Sequence, residues 1–516
     1  MSDTTSEPLP RTYPPTVDVA IVGSGPAGAA YARILSENAP DASIVVFELG
    51  ATISDPPGAH VKNIADPHER ARAQRTSEGP LGAARANGNG EETYEDRSER
   101  LVRAGTFLLE DGWQQPGEEG MPALAFSSNV GGMGAHWTGA CPRPGESERI
   151  GFLQDLDELL TEAERLLSVT ADALADAPLA GEVRKRLSAV LDEGRAEDRR
   201  VQPMPLAVHR RADGELVWSG ADVVFGDATR SNPNATLFDE SLVTRVLVDG
   251  GTVRGVRVRD QRTGHEQDVT ARFVVVAADA LRSPQLLFAS KVRAEALGRY
   301  LNDQPQIVYA TVLSGVDEVP SGSAGDTSIT AQSGVSWVPF TDAHPFHGQV
   351  MQLDASPVPL ETETIPGSIV GLGWFCAKDL QSSDRVEFTD TAVDVYGMPA
   401  MKIHYTLTAR DHANLDAARA SIVATAHALG APLGDEPLTF PAGASLHYQG
   451  TVRMGEQNDG TSVCDTHSQV WGVKGLHVAG NGVIPTATAC NPTLTAVALA
   501  IGGARHIAAQ LTDRSS

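Results

Sequence analysis

Three groups of residues in this chain have the types and spacing to do chemistry. The first is Gly23-Ser24-Gly25-Pro26-Ala27-Gly28, a GxGxxG that follows the apolar run "VDVAIV" and opens an alanine-rich stretch. Glu48 closes the next apolar run, "ASIVVFE". In that context Gly23 permits a tight turn, Gly25 lets a pyrophosphate approach the backbone, and Gly28 lets helix and strand pack closely. The helix start offers free N–H groups to phosphates, and Glu48 is placed to accept hydrogen bonds from ribose hydroxyls. The second group is "GGMGAHWTGACPR", in which Gly132 and Met133 lead to one imidazole, His136, followed at once by Trp137 and Thr138. The third is a separated pair, His447 in "ASLHYQG" and Asn491 in "NPTLTAVALAIGG". A lone histidine such as His447 is more often a packed or hydrogen-bonded residue than a catalyst, and its type alone does not select it, although its pKa range suits proton abstraction near neutral pH. Asn491 reads as an N-cap, with Pro492 at the first helical position and Thr493 after it. The same helix end could also stabilise negative charge developing on a bound group.

The elements that must position these groups follow from periodicity. Val17–Val22, a helix over 27–35 and the run ending at Glu48 make a βαβ unit. "TRVLVDGGTVRGVRVRD" predicts a hairpin turning at Asp249-Gly250-Gly251. Apolar residues at Leu156, Leu159, Leu160, Ala163 and Leu167 have helical spacing, and the helical stretch extends over 151–198. Residues 78–100, glycine-rich and charged, read as a surface loop. From 304 to 441 the pattern changes to short alternating strands with many prolines and few long helices, and βα character returns after 442. The expectation is an α/β protein with two domains. A discontinuous dinucleotide-binding domain covers 15–303 and 442–512, with the excursion at 151–198, and an inserted domain on a mainly antiparallel sheet covers 304–441.

With 516 residues, the chain is too long for one ordinary core. A formal net charge of -25 argues against nucleic acid or an anionic membrane surface as partner. Cys141, Cys376, Cys464 and Cys490 form no CxxC pair, and the N-terminus shows no basic region followed by an apolar run. Both features point to a cytoplasmic protein with reduced thiols. "TLTAVALAIGGA" is too short an apolar run to span a bilayer and reads as a buried helix. A second dinucleotide fingerprint for NAD is missing. The distant segments "VVVAADALRSPQLL" and "GLHVAGNGVIPT" look like further strands of an FAD site, with Val243 near the adenine and Asn481 near the pyrophosphate or ribityl chain.

With those residues in view, the chain resembles the glucose–methanol–choline (GMC) oxidoreductases, FAD enzymes acting on alcohols, and within them the pyranose-oxidase-like branch. "GSGPAG", "PGAHVKN", "VGGMGAHWTGACPR", "QPMPLAVHRR", "LGRYLNDQP" and "IPTATACNPTLTAVALAI" carry the resemblance along nearly the whole chain. It implies a Rossmann-like FAD-binding domain with an inserted substrate-binding domain. It implies that His136 lies against the dimethylbenzene edge of the flavin, with or without a covalent bond, and that Thr138 lies near flavin N5. His447 matches the family's base and Asn491 the group that hydrogen-bonds the same substrate oxygen. The carbon beside that oxygen would pass hydride to flavin N5, and dioxygen or a quinone would take the electrons.

Departures from the family pattern set the remaining expectations. The segment around residues 78–100 is small and polar, so a monomer or weak dimer is expected. "SGVSWVPFTDAHPFHGQVMQ" stands where the family has its substrate loop. There Trp337, Phe340 and Phe346 could stack on a sugar or an aromatic aglycone, with His344 beside them. Gln349 and Gln352 could reach hydroxyls, alternation leaving their face open. Asp342, His344 and His347 have metal-ligand types but no complete ligand set, so no metal is expected. The substrate expectation is the C3 hydroxyl of a glycoside, with C2 of a free pyranose as the alternative; a flavin-containing lyase ranks behind both.

Overall fold

The computed structural model describes residues 9–79, 103–108, 113–175, 177–316, 334–353, 365 and 367–512. Most of the segment read as a loop at 78–100 lies outside these residues.

Apolar runs without alternation become strands buried on both faces. Thr16–Val22 lies between Ile44–Phe47 and Glu266–Val276, all parallel, and Ala235–Phe238 continues the sheet beyond Ile44–Phe47. Leu476–Val478 joins in parallel at the far end of Glu266–Val276, so the predicted late βα segment completes the sheet opened at residue 16. The predicted hairpin is present as Ser241–Asp249 and Thr252–Asp260, extending the seven-stranded sheet antiparallel. The register has a consequence for binding: Val22 pairs with Phe47 and with Val276, and Val276 pairs with Val478. Four parallel strands therefore end level, and the turns that follow them share one edge.

Helix Pro26–Asn38 begins at the fingerprint with proline in its first turn and buries Ala27, Ala29, Ala30 and Ala32. These small side chains let it pack closely against the final helix, Thr493–Thr512. At that contact a Cβ on Gly503 would come within 1.9 Å of the Tyr31 hydroxyl. The final helix is long and apolar enough to cross a membrane, yet most of its 20 residues are buried inside the fold.

The second sheet has six strands in the order Gly430–Thr439, Gln306–Leu313, Ile369–Cys376, Phe346–Gln352, Val335–Val338 and Gln202–Pro203, all neighbours antiparallel. One face packs Phe346, Val350, Trp374 and Val338 against Ala180–Leu191 and Ala409–Leu429. Thus the excursion at 151–198 and the strand at 202–203 both contribute to the layer around this second sheet. Ala409–Leu429, a 21-residue helix, is the long element that the sequence pattern of 304–441 did not predict. It opens with a capping box, in which Thr408 Oγ1 accepts from Asp411 N–H and the Asp411 carboxylate accepts from Thr408 N–H. Its buried stripe is narrow (Ala418, Ile422, Ala426 and Leu429) and gives little apolar periodicity to read.

Candidate active site

A cavity with about 1760 Å³ of empty space, part of it open to solvent, runs along the edge where the four parallel strands end. Its walls include Gly23, Gly25, Glu48, Ala277, Val243 and Asn481 at the sheet end, and His447, Asn491 and Thr493 at the other. Gly132, Met133, Trp137 and Thr138 form a side between them. This is the crevice beyond the carboxyl ends of strands where open α/β sheets take their ligands.

The fingerprint glycines do what their spacing predicts. Gly23 has φ of 102°, and a Cβ there would sit 2.3 Å from the Ala277 carbonyl oxygen. A Cβ on Gly28, which does not line the cavity, would lie 2.1 Å from the Gly23 carbonyl oxygen. Gly25 leaves its side of the turn open. Ser24 then ties three parts together. Its Oγ donates to Glu48 Oε2 at 2.7 Å and accepts from Gly131 N–H at 2.9 Å, while its N–H also reaches Glu48. The second glycine-rich turn is thereby held against the first. Burial raises the Glu48 carboxyl above its ordinary range, opposed by hydrogen bonds from Gly50 and Ser24.

His136 departs from its expected place. The turn Gly132–Ala135 brings Met133, Trp137 and Thr138 to the cavity, whereas the His136 ring does not line it. Its Nε2 lies 3.0 Å from Ser77 Oγ and 3.3 Å from Asn129 Oδ1, and its ring fills the space left by Gly105. Burial pushes this imidazole down to about 4. Gly105 thus makes room for the ring inside the protein.

His447 stands on the cavity wall, in a turn where Leu446 takes φ of 60°. That non-glycine strain beside a reactive group is held by Asp303, whose carboxylate accepts from Gly443 N–H and from Ser445 Oγ. His447 Nδ1 lies 2.7 Å from Gln304 Oε1. The Gln304 amide nitrogen donates to the carbonyls of Thr488 and Cys490, so Oε1 can only accept and Nδ1 must carry the proton. Nε2 of His447 is therefore a free base. Burial, with Arg103 adding like charge, pushes its pKa down to about 3.

Asn491 Nδ2 is 3.3 Å from that Nε2. Its Oδ1 is buried without a partner, so the carboxamide does not cap the following helix. The turn carrying it is fixed from outside: buried Glu148 accepts from Ala489 N–H at 2.8 Å and Cys490 N–H at 2.9 Å. Pro492 is buried beside it and does not line the cavity. Glu148, Asp303 and Gln304 were missed in the sequence, because each acts on residues far away in the chain and none sits in a motif.

The expected substrate loop is instead part of the second sheet. Trp337 and Phe346 are buried strand residues, Phe346 stacking on Trp374 on the helix-covered face. Phe340 is 3% exposed, and none of the three lines the cavity. His344 sits exposed on the turn between strands. Alternation places Gln349 on the same face as His347, but Gln349 is buried, and among the described residues its side chain reaches Met351 Sδ, at 3.8 Å. Gln352 donates to the carbonyls of Pro178 and Gly367. The error was one of period: aromatic and polar residues read as a loop are a strand pair whose inward and outward faces are both covered. His347, weighed only with Asp342 and His344 as a metal ligand, lies instead by Phe375, which also packs against His447. Among the described residues, no three acidic, histidine or cysteine side chains gather around a common point.

Fold and site together define a dinucleotide-binding oxidoreductase, with a free imidazole base and a carboxamide donor facing one cavity. The GMC oxidoreductase family model matches residues 207–306 and 381–500. The chain is 65% identical to a C-glycoside 3-oxidase of Microbacterium trichothecenolyticum, over 97% of this chain and 98% of that one. It is 63% identical to a C-glycoside 3-oxidase of Arthrobacter globiformis, over 97% and 96%. At 31% identity it matches a pyranose 2-oxidase of Tricholoma matsutake, over 96% and 94%. The chain belongs to the GMC oxidoreductase family, and it is an enzyme of that family. Among solved structures, pyridoxine 4-oxidase from Mesorbium loti has the same fold, with a TM-score of 0.64 at 19% identity over 95% and 99% of the two chains. Formate oxidase of Aspergillus oryzae gives 0.65 at 16%, over 98% and 100%. The family implies FAD, and the cradle fits it: glycines where a Cβ would strike backbone, a carboxylate at the second strand end, and a long cavity between that end and the His447–Asn491 wall.

Proposed function

We propose that this enzyme oxidises a secondary ring hydroxyl of a pyranose glycoside, at C3, to the keto-sugar, with dioxygen as acceptor. The observation that carries the reading is the His447 Nε2–Asn491 Nδ2 pair, 3.3 Å apart on the cavity wall. The high identity to relatives named C-glycoside 3-oxidase supports C3 as the position. In this reading His447 Nε2 takes the proton of the substrate hydroxyl, and Asn491 Nδ2 donates to the same oxygen as it gains negative charge. The proton stays on Nε2, balanced by the Nδ1–H bond to Gln304. As alkoxide character grows, the adjacent C–H becomes a better hydride donor. The chemistry supplied by bound FAD is acceptance of that hydride and delivery of the electron pair to dioxygen, giving hydrogen peroxide. Gly23, Gly25, Glu48, Val243 and Asn481 would hold its nucleotide end, and Met133, Trp137, Thr138 and Thr493 the end near the base. Oxidation at C2 of a free pyranose is the second reading, favoured by the relative named pyranose 2-oxidase.

Anaerobic mixing with O- and C-glycosides and free monosaccharides, followed by NMR of the product, decides between them. A 3-keto glycoside is expected; bleaching by free glucose alone, with a 2-keto product, would replace the first reading by the second.

The His136 ring, buried, hydrogen-bonded to Ser77 and absent from the cavity lining, supports FAD held without a covalent bond. Acid-denatured enzyme should release all its flavin, and the polypeptide should keep its sequence mass. A flavin-sized increment on the His136 peptide would show that the ring turns inward.

A further inference from the structure

Near Asn491 and the base lies a second imidazole that the proposed reaction leaves unused. His347 is fully buried on the strand Phe346–Gln352. Its Nδ1 accepts from Trp337 Nε1 at 2.9 Å. Indole nitrogen can only donate, so the His347 proton must sit on Nε2. Burial, with His447 adding to it, pushes His347 down to about 3, which keeps the ring neutral. His347 Nε2 and Asn491 Oδ1 are both buried and neither makes a hydrogen bond, while the Asn491 side chain is close enough to act on the His347 imidazole. Phe375 lies against both imidazoles, with ring centroids 5.5 Å from each, and spaces them.

We propose that Trp337 and His347 are positioning residues that set which way the Asn491 carboxamide faces, and through it keep His447 Nε2 unprotonated. This inference rests on the reading of His447 as the base. Donors then run one way through the site. Trp337 Nε1–H points to His347 Nδ1, Asn491 Nδ2–H to His447 Nε2, and His447 Nδ1–H to Gln304 Oε1. The link between His347 Nε2–H and Asn491 Oδ1, a donor and an acceptor that each make no hydrogen bond, is the one the proposal adds. The Gln304 amide nitrogen ends the chain on the carbonyls of Thr488 and Cys490. Reversing the carboxamide would set Nδ2 against His347 Nε2–H, donor against donor. It would also offer Oδ1 to His447 and favour a proton on the nitrogen that must accept one. A buried network of this kind stands or falls on every member being satisfied. The indole of Trp337 therefore influences a base it does not touch.

Two measurements on the FAD-loaded enzyme test this. Nitrogen-15 NMR of histidine-labelled protein should show His347 as the Nε2–H tautomer and His447 as the Nδ1–H tautomer. In Trp337→Phe the His447 Nε2 signal should move toward that of a protonated nitrogen, while Nδ1–H stays bonded to Gln304. In anaerobic stopped flow, Trp337→Phe and His347→Phe should lower the limiting rate of flavin reduction by about 10- to 100-fold. The substrate dissociation constant should change less than about threefold, with FAD content unchanged. His347→Gln, whose amide can accept from Trp337 and donate to Asn491, should recover most of the rate. Wild-type spectra with His347 protonated at Nδ1, or a full reduction rate in His347→Phe, would overturn the proposal. So would loss of FAD in proportion to rate, or failure of His347→Gln to recover. The tautomers are read without turnover, so a failed network is distinguishable from a failed assignment of His447, which His447→Ala tests alone.

Discussion

One carboxylate and one carboxamide decide what the His447 imidazole can do. Asp303 fixes the strained turn that presents it, and Gln304 fixes its tautomer. Because burial and Arg103 push its pKa down, the free-base form persists far into acid. A group with a depressed pKa keeps its basic form above that value and loses it only as pH falls through it. The limiting rate of flavin reduction should therefore stay flat from about pH 8 to about pH 5 and fall only in stronger acid. A stopped-flow profile with an inflection near the ordinary histidine value of about 6.5 would contradict the desolvated base. His447→Ala should slow reduction by roughly 10²- to 10⁴-fold while the protein stays yellow. Residue types alone left His447 and Asn491 open between structural and chemical roles. The resemblance to a family singled them out, and the unpartnered Asn491 Oδ1 shows that capping is not the role taken.

Among the elements, two glycine-rich turns and the start of the final helix must meet at one edge. Level strand ends bring the first turn and Glu48 together, and Ser24 fastens the second turn to both. Gly28 matters here although it touches no ligand. A valine side chain there would be driven into the Gly23 carbonyl, pushing the helix off the strand and deforming the phosphate cradle. Gly28→Val should yield protein that lacks FAD as purified, read as loss of visible absorption per unit protein. A variant that keeps stoichiometric FAD would refute the close-packing role. The βαβ unit, the hairpin and the final buried helix were legible because each carries its own period and its own turn residues. Helix Ala409–Leu429 was not, since its buried stripe is narrow and leaves little apolar periodicity to read. The pair of strands around residue 342 was mistaken for a loop, because polar and aromatic residues covered on both faces look like a cleft lining in one dimension.

Across the whole molecule, a buried ion pair joins the second sheet to the rest. Lys378 follows the strand Ile369–Cys376, is fully buried, and donates to Asp384 Oδ2 and to the Asp379 carbonyl. The other Asp384 oxygen accepts from Thr406, while the backbone carbonyl of Lys378 accepts from Asn302, next to Asp303 and Gln304. Lys378→Met leaves Asp384 buried without its counter-charge, which should cost about 3–5 kcal/mol. Urea unfolding should show the lower midpoint. An unchanged midpoint would mean that water or another cation already serves Asp384.

The sequence by itself determined what local patterns can encode. These are a parallel nucleotide sheet entered through GxGxxG, a glycine-rich turn beside it, an apolar closing helix, and a family resemblance that pointed to His447 and Asn491. Only the tertiary structure decided which way the His136 ring turns, which face of a strand holds His347, and which amide settles the His447 tautomer. The physical reason is range. Turn chemistry and periodicity are set by neighbours a few positions apart. Hydrogen-bond direction in a buried site is set by partners such as Gln304, Trp337 and Glu148, which the chain brings together only by folding.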